Sequence, residues 1–206
     1  MVALLVTLGV GIAIGVVVGD RGTAETAPST ATGPASYATE KVDNACDLVD
    51  PAPLVRWAGP PREAPKHTED RTPPRGGELE CRVYHGDPGA DSSARAAIWI
   101  RVKPTDGATP EAFAARKVVD HRLVGDSLSD VTSGDVDDLA YGHWIHAADR
   151  TGAIFDDRYL LDVLDGDLSV LVLIDHGSAA ENRVDRAEFA AVARSQVQRI
   201  LDRLRR

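Results

Sequence analysis

The chain has 206 residues, of which 27% are charged and 43% hydrophobic, and its formal net charge is −9. A nucleic-acid-binding surface needs clustered lysine and arginine to displace counterions, so this acidic balance argues against a nucleic-acid partner. Residues 44–206, beyond two N-terminal segments of different character, are enough for one domain with a substantial core.

The first of these segments is an uncharged apolar run from Val2 to Gly19, followed by Asp20 and Arg21. At 1.5 Å per helical residue, such a run spans roughly 27 Å, close to the hydrocarbon thickness of a bilayer. We therefore predict a transmembrane anchor over residues 1–19. A cleaved signal peptide is the main alternative, although no basic residue precedes the run. A core helix is the third, but core helices are seldom apolar on every face.

The second segment, residues 20–43, is rich in Thr, Ala, Pro, Gly and Ser and is predicted to be a flexible extracytoplasmic linker. The chain's two cysteines, Cys46 and Cys81, lie beyond it. Because the domain has no other cysteine, this pair indicates an oxidising compartment. We thus expect a single-pass protein of the cell membrane, with residues 44–206 facing out of the cytoplasm.

The domain begins with a short predicted helix. Asp50 is a suitable cap, Pro51 suits the first helical position, and Gly59 follows the end of the helix. Residues 60–77 are polar and proline-rich, which predicts an exposed loop.

Two alternating strands are predicted next, over residues 81–85 and 97–103. In the second strand Ile98 and Ile100 face the core, whereas Trp99 and Arg101 face away.

A helix is predicted from Thr109 and Pro110, and a strand over residues 139–147. The residues expected on the buried face of this helix are Ala112, Ala115, Val119 and Leu123.

The clearest hairpin joins residues 159–164 to residues 167–174 through the turn Asp165–Gly166. A last helix is predicted to start at Asp185, with Glu188 in a capping-box position. The hairpin pairs expected on one face are Val163 with Leu168, Leu161 with Val170, and Tyr159 with Val172. The apolar stripe of the last helix is Phe189, Ala193, Val197, Ile200 and Leu204.

Strands outnumber helices in this order and are joined by hairpins. The predicted fold class is therefore α+β, an antiparallel β-sheet with helices packed against it, preceded by the transmembrane helix.

The segments Cys46-Asp-Leu-Val and Cys81-Arg-Val-Tyr, with the short helix ending at Gly59, carry a family resemblance. The chain resembles actinobacterial membrane-anchored extracytoplasmic domains and lipoproteins of unknown function, which have relatives among kinase sensor domains. The resemblance implies a disulfide between Cys46 and Cys81 and a binding or sensing role, with no catalytic residues to carry over. The chain departs from it in lacking a lipobox cysteine and a kinase domain.

Residues with potential chemistry are scattered along the sequence. His143 and His146 are three apart on a strand and are expected on opposite faces, so no metal site and no cofactor are predicted. We expect His85 and His176 to be partly exposed at strand ends. The acidic residues Asp137, Asp138, Asp156, Asp157, Asp162, Asp165 and Asp167 are assigned to solvated loops and turns.

The function predicted from the sequence is non-catalytic binding of an envelope ligand or protein partner by a membrane-tethered, sensor-like domain. Trp99, Arg101 and Trp144 are the candidate ligand-binding residues, because aromatic rings beside a cation suit a polar or acidic ligand. Two alternatives stay open: a cell-envelope hydrolase with an unrecognised site, and a structural or assembly subunit.

Overall fold

The structure is a computed structural model that describes residues 35–72, 77–86, 94–124, 128–139 and 141–206. The predicted anchor from Val2 to Gly19 and residues 20–34 of the predicted linker lie outside these ranges. Within them, no helix combines the length and hydrophobicity needed to cross a bilayer.

Within the described ranges, seven strands form one antiparallel sheet and three α-helices pack against it, which confirms the α+β class. The strands lie in the order β1-β2-β3-β7-β6-β5-β4, so the long hairpin β6–β7 is central. The helices are α1 (Ala52–Ala58), α2 (Pro110–Val124) and α3 (Arg186–Leu204). The strands are β1 (Lys66–Asp70), β2 (Glu78–Gly86), β3 (Ala94–Pro104), β4 (Asp130–Asp135), β5 (Gly142–Asp149), β6 (Phe155–Asp165) and β7 (Leu168–Ser178).

The helices divide between the two faces of the sheet. α1 and α3 cover the face that carries Ile98 and Ile100, and Phe189 of α3 is buried there. α2 covers β5 and β6 on the other face, over a smaller apolar cluster that includes Ile145 and Leu173. Because α2 spans only part of its face, the same face of β2 and β3 is left half-exposed.

The last helix matches its prediction. The carboxylate Oδ1 of Asp185 accepts a 2.8 Å hydrogen bond from the backbone N–H of Glu188, which caps the helix. All five residues of the predicted apolar stripe are buried.

The central hairpin is formed as predicted, but its register differs by two residues. Val163 pairs with Val170 rather than Leu168, because the two turn residues are Gly166 and Asp167 rather than Asp165 and Gly166. Gly166 has φ 55° while Asp167 has no positive φ, as in a type II′ turn, which takes glycine first. A shift of two keeps every side chain on its predicted face, so the core pattern survives the error.

Neither edge strand of the sheet, β1 or β4, was predicted from the sequence. β1 falls inside residues 60–77, which were predicted to be a loop, and β4 has the polar sequence Asp-Val-Thr-Ser-Gly-Asp. Edge strands are often polar because an apolar edge would pair with other chains, so they lack an alternating apolar pattern.

The folded region also starts earlier than the predicted boundary at residue 44. Tyr37 is buried and forms a bridge with Arg205, and Ala38 N–H donates to the carbonyl of Leu204. Residues 35–43, assigned to the linker by composition, therefore pack against the end of α3.

A disulfide joins Cys46 to Cys81, with their Cα atoms 5.1 Å apart, as the family resemblance implied. Cys46 lies in a 3-10 turn, Ala45–Leu48, and Cys81 lies on β2. The bond therefore fastens the segment before α1 to the sheet.

Candidate functional site

The helix α2 places two charged residues among those that face the sheet, while two of its valines face solvent. Val118 and Val119 are 57% and 51% exposed, whereas Asp120 is 2% exposed. The predicted buried face is therefore wrong: Ala112, Ala115 and Val119 are exposed, and Leu123 is only half-buried. The residues that α2 buries or half-buries against the sheet include Phe113, Arg116, Asp120 and Val124.

Arg116 and Asp162 form a buried ion pair under this helix. The Nε and Nη2 atoms of Arg116 donate to the two carboxylate oxygens of Asp162 at 2.6 and 2.5 Å. Asp162 lies in the middle of β6 and is fully buried, so its assignment to turn chemistry is wrong. Burial raises the pKa of Asp162 to about 6; Arg116 opposes this shift and the nearby charge of Asp120 adds to it.

Asp120 and His143 meet beside this pair. Oδ2 of Asp120 lies 3.1 Å from Nε2 of His143, and both side chains are more than nine-tenths buried. These two atoms are close enough for a hydrogen bond, but the angles at them are unsuitable for one. Among the described residues, neither ring nitrogen of His143 nor Oδ2 of Asp120 has a hydrogen-bond partner. Unsatisfied polar atoms in a buried site are costly, so this arrangement calls for an explanation.

Asp120, His143 and Asp162 together place one potential ligand atom each within 4.8 Å of one another. His143 and His146 do lie on opposite faces, as predicted. The other two groups, Asp120 and Asp162, come from α2 and β6, so no local spacing could have revealed this convergence.

On the opposite face, Asp157 joins His146 and Arg150 in a second buried polar group. Its carboxylate accepts from Nε2 of His146 at 2.9 Å and from both terminal nitrogens of Arg150 at 2.8 and 2.5 Å. Burial disfavours the charged carboxylate, but these bonds outweigh it and lower the pKa of Asp157 to about 2. The assignment of Asp157 to a solvated loop is therefore wrong.

Replacement of Asp157 by Asn should alter the pH dependence of stability. Because folding depresses the pKa of Asp157, the contribution of its charge is complete above the unfolded value near 4 and is lost as pH falls toward 2. We expect the charge of Asp157 to contribute about 2 kcal/mol to the free energy of unfolding at pH 7. Roughly half of this contribution should be lost by pH 3. Urea unfolding of wild type and Asp157→Asn from pH 7 to 3 measures the difference.

Asp156→Asn is the matched control, because Asp156 is the neighbouring residue and pairs with Arg95 at the surface. Its stability difference from wild type should stay within about 1 kcal/mol across this range. A difference between wild type and Asp157→Asn that does not change with pH would contradict the prediction.

His85 and His176 lie on the same face as Asp157, and each is only 2% exposed, so the prediction that they are partly exposed is wrong. Nδ1 of His85 lies 2.7 Å from the carbonyl oxygen of Gly59. The ring of His176 packs edge-on against Trp57 and near Phe189, and burial lowers its pKa. Both residues are therefore core histidines.

A pocket of about 420 Å³ lies at the end of β2, β3, β6 and β7, beyond α2. Two ion pairs stand in its wall, Arg95 with Asp156 and Arg158 with Asp175, each at 2.5 Å. Arg158 also donates to the last carbonyl of α2, that of Val124, at 2.9 Å. The remaining lining residues are Arg62, Tyr84, His85, Ala96, Ala97, Leu128, Asp157 and His176.

The three predicted ligand-binding residues do not form one site. Trp99 and Arg101 share the half-exposed face of β3, where the guanidinium groups of Arg82 and Arg101 lie 4.5 and 5.6 Å from the ring of Trp99. Trp144 lies on the other face, stacked on Tyr159. The two tryptophans therefore build no common aromatic wall. Among the described residues that line the pocket, neither Trp99 nor Arg101 is present.

Comparison of the chain with protein-family models, with curated proteins and with solved structures finds no match. The resemblance to actinobacterial extracytoplasmic domains accordingly stays a prediction.

Proposed function

We propose that this chain is a membrane-tethered extracytoplasmic domain that binds a small saccharide in the pocket at the end of the sheet. The observation that carries the proposal is the pocket itself. Its volume of about 420 Å³ falls in the range typical of small-molecule sites. The Cys46–Cys81 disulfide supports an oxidising compartment, and the apolar run from Val2 to Gly19 supports the tether.

The charges of the pocket favour a neutral ligand. Among the described residues, three arginines and three aspartates line it, so their formal charges cancel. This part of the wall therefore offers donors and acceptors side by side.

A saccharide matches this wall in detail. Its hydroxyl groups can accept from Arg95 and donate to Asp156 or Asp175, while its C–H face can pack on Tyr84 and Leu128. An aromatic and apolar surface with a few oriented polar groups is the usual composition of such sites.

The buried Asp120–His143–Asp162 group does not favour a hydrolase. These side chains are at most 4% exposed, so a substrate in solvent does not reach them.

The test is calorimetric titration of the full-length chain in detergent with a panel of neutral monosaccharides and disaccharides. Tyr84→Ala and Arg95→Gln should each weaken the binding of the best ligand about tenfold, since each removes a contact that contributes 1–2 kcal/mol. Arg101→Gln is the matched control, because Arg101 lies on the same strand and face but outside the pocket lining.

Equal affinity of Arg95→Gln and wild type would overturn the assignment of this pocket. A lack of binding by every saccharide in the panel would overturn the proposed ligand class.

A further inference from the structure

We propose that Asp120, His143 and Asp162 form a site for a single divalent transition-metal ion, with zinc as the natural probe, beneath α2. The donor set is one imidazole nitrogen and two carboxylate oxygens, which suits zinc with three protein ligands and a water. This site is separate from the saccharide pocket and does not depend on the function proposed for it.

The orientation of α2 is the first support. The helix exposes Val118 and Val119 while it buries Asp120 and half-buries Arg116 against the sheet. Packing alone would favour the reverse, because buried apolar side chains stabilise a fold and buried charges do not. A role for the inward polar face explains why the sequence keeps this arrangement.

The unpartnered atoms are the second support. Both ring nitrogens of His143 and Oδ2 of Asp120 are buried without a hydrogen-bond partner among the described residues. With Asp162 they supply three ligand atoms within 4.8 Å. A tetrahedral zinc site brings its ligand atoms to roughly 3.3 Å from one another, so only side-chain adjustments are needed.

The ion pair defines what the metal displaces. Both carboxylate oxygens of Asp162 accept from Arg116, so an ion that binds Asp162 competes with the guanidinium for this carboxylate. A divalent ion brings more positive charge to the two carboxylates than Arg116 does. The side chain of Arg116 is 23% exposed, which gives its guanidinium a route to solvent.

This exchange makes a specific prediction. Arg116→Gln removes the cation that competes with the metal, so it should bind zinc about tenfold more tightly than wild type. Asp120→Asn and His143→Gln should weaken binding by at least about tenfold, because each removes a ligand. His121→Gln is the matched control, since His121 is exposed on the same helix, and it should bind as wild type does.

The experiment uses the full-length chain in detergent, stripped with a chelator and titrated with ZnCl₂ by calorimetry. Cobalt absorption gives an independent readout of a tetrahedral site. The expected result is one ion per chain and a rise in the thermal midpoint.

Three results would overturn the proposal. Zinc binding that survives His143→Gln would be adventitious surface binding, for which the exposed His67 beside the half-buried Glu69 is available. A lack of binding by both wild type and Arg116→Gln would show that the three side chains do not form a metal site. Weaker binding by Arg116→Gln would exclude the exchange with Arg116. Asp120→Asn keeps the shape of its side chain, so it serves if His143→Gln fails to fold.

Discussion

Replacement of both cysteines, as Cys46→Ser with Cys81→Ser, is expected to lower the free energy of unfolding by about 4 kcal/mol. The bond closes a loop with a sequence separation of 35 residues, and a cross-link of this length restricts the unfolded chain by about that amount in the chain-entropy model. Typical domains are stable by 5–15 kcal/mol, so the loss is a large fraction of the total. Urea unfolding of oxidised wild type and the double variant measures it.

The closed loop contains α1 and β1. Trp57 of α1 packs on His176 and Phe189, so a looser loop also loosens the cover of the core histidines. Reductant supplies the control, because it should destabilise wild type and leave the double-serine variant unchanged. A double variant within about 1 kcal/mol of oxidised wild type would contradict the prediction.

Prediction from the sequence succeeded where the local pattern of apolar residues was strong. The α3 stripe and the alternation of β3 place each apolar residue on a buried face, and both were predicted correctly because burial selects the face directly. The hairpin register was wrong by two residues, since either of two adjacent turn positions can accommodate Gly166.

The buried polar groups could not be predicted in the same way. In the sequence, Asp162 is close to the hairpin turn and was therefore assigned to it. Its partner, Arg116, lies on α2 and is distant in sequence. The spacing of Ala112, Ala115 and Val119 suggested the wrong buried face of α2 for the same reason, because the sheet beneath the helix presents His143 and Asp162. Such complementarity joins positions distant in sequence, so local periodicity carries no sign of it.

Replacement of Arg116 by Met should destabilise the fold by about 3–5 kcal/mol at neutral pH, because it leaves the buried carboxylate of Asp162 without its cation. Arg194→Met is the matched control. Arg194 pairs with Asp138 at 2.7 Å, but both side chains are exposed, so its loss should change stability by at most about 1 kcal/mol. Similar losses of stability in the two variants would contradict this prediction, because they would show that protonation or solvent compensates for the missing cation at Asp162.

The double variant Arg116→Met with Asp162→Leu should recover most of this loss, because it removes the carboxylate together with its cation and adds apolar surface to the cluster around Ile145. Buried ion pairs are often replaced by apolar residues with no loss, or with a gain of about 1–4 kcal/mol. Denaturant unfolding of both single variants and the double variant completes the cycle. A stable double variant that no longer binds zinc would show that Asp162 serves the metal site and that the fold does not need the ion pair. A double variant as unstable as Arg116→Met would show instead that the ion pair is needed to position α2 on the sheet.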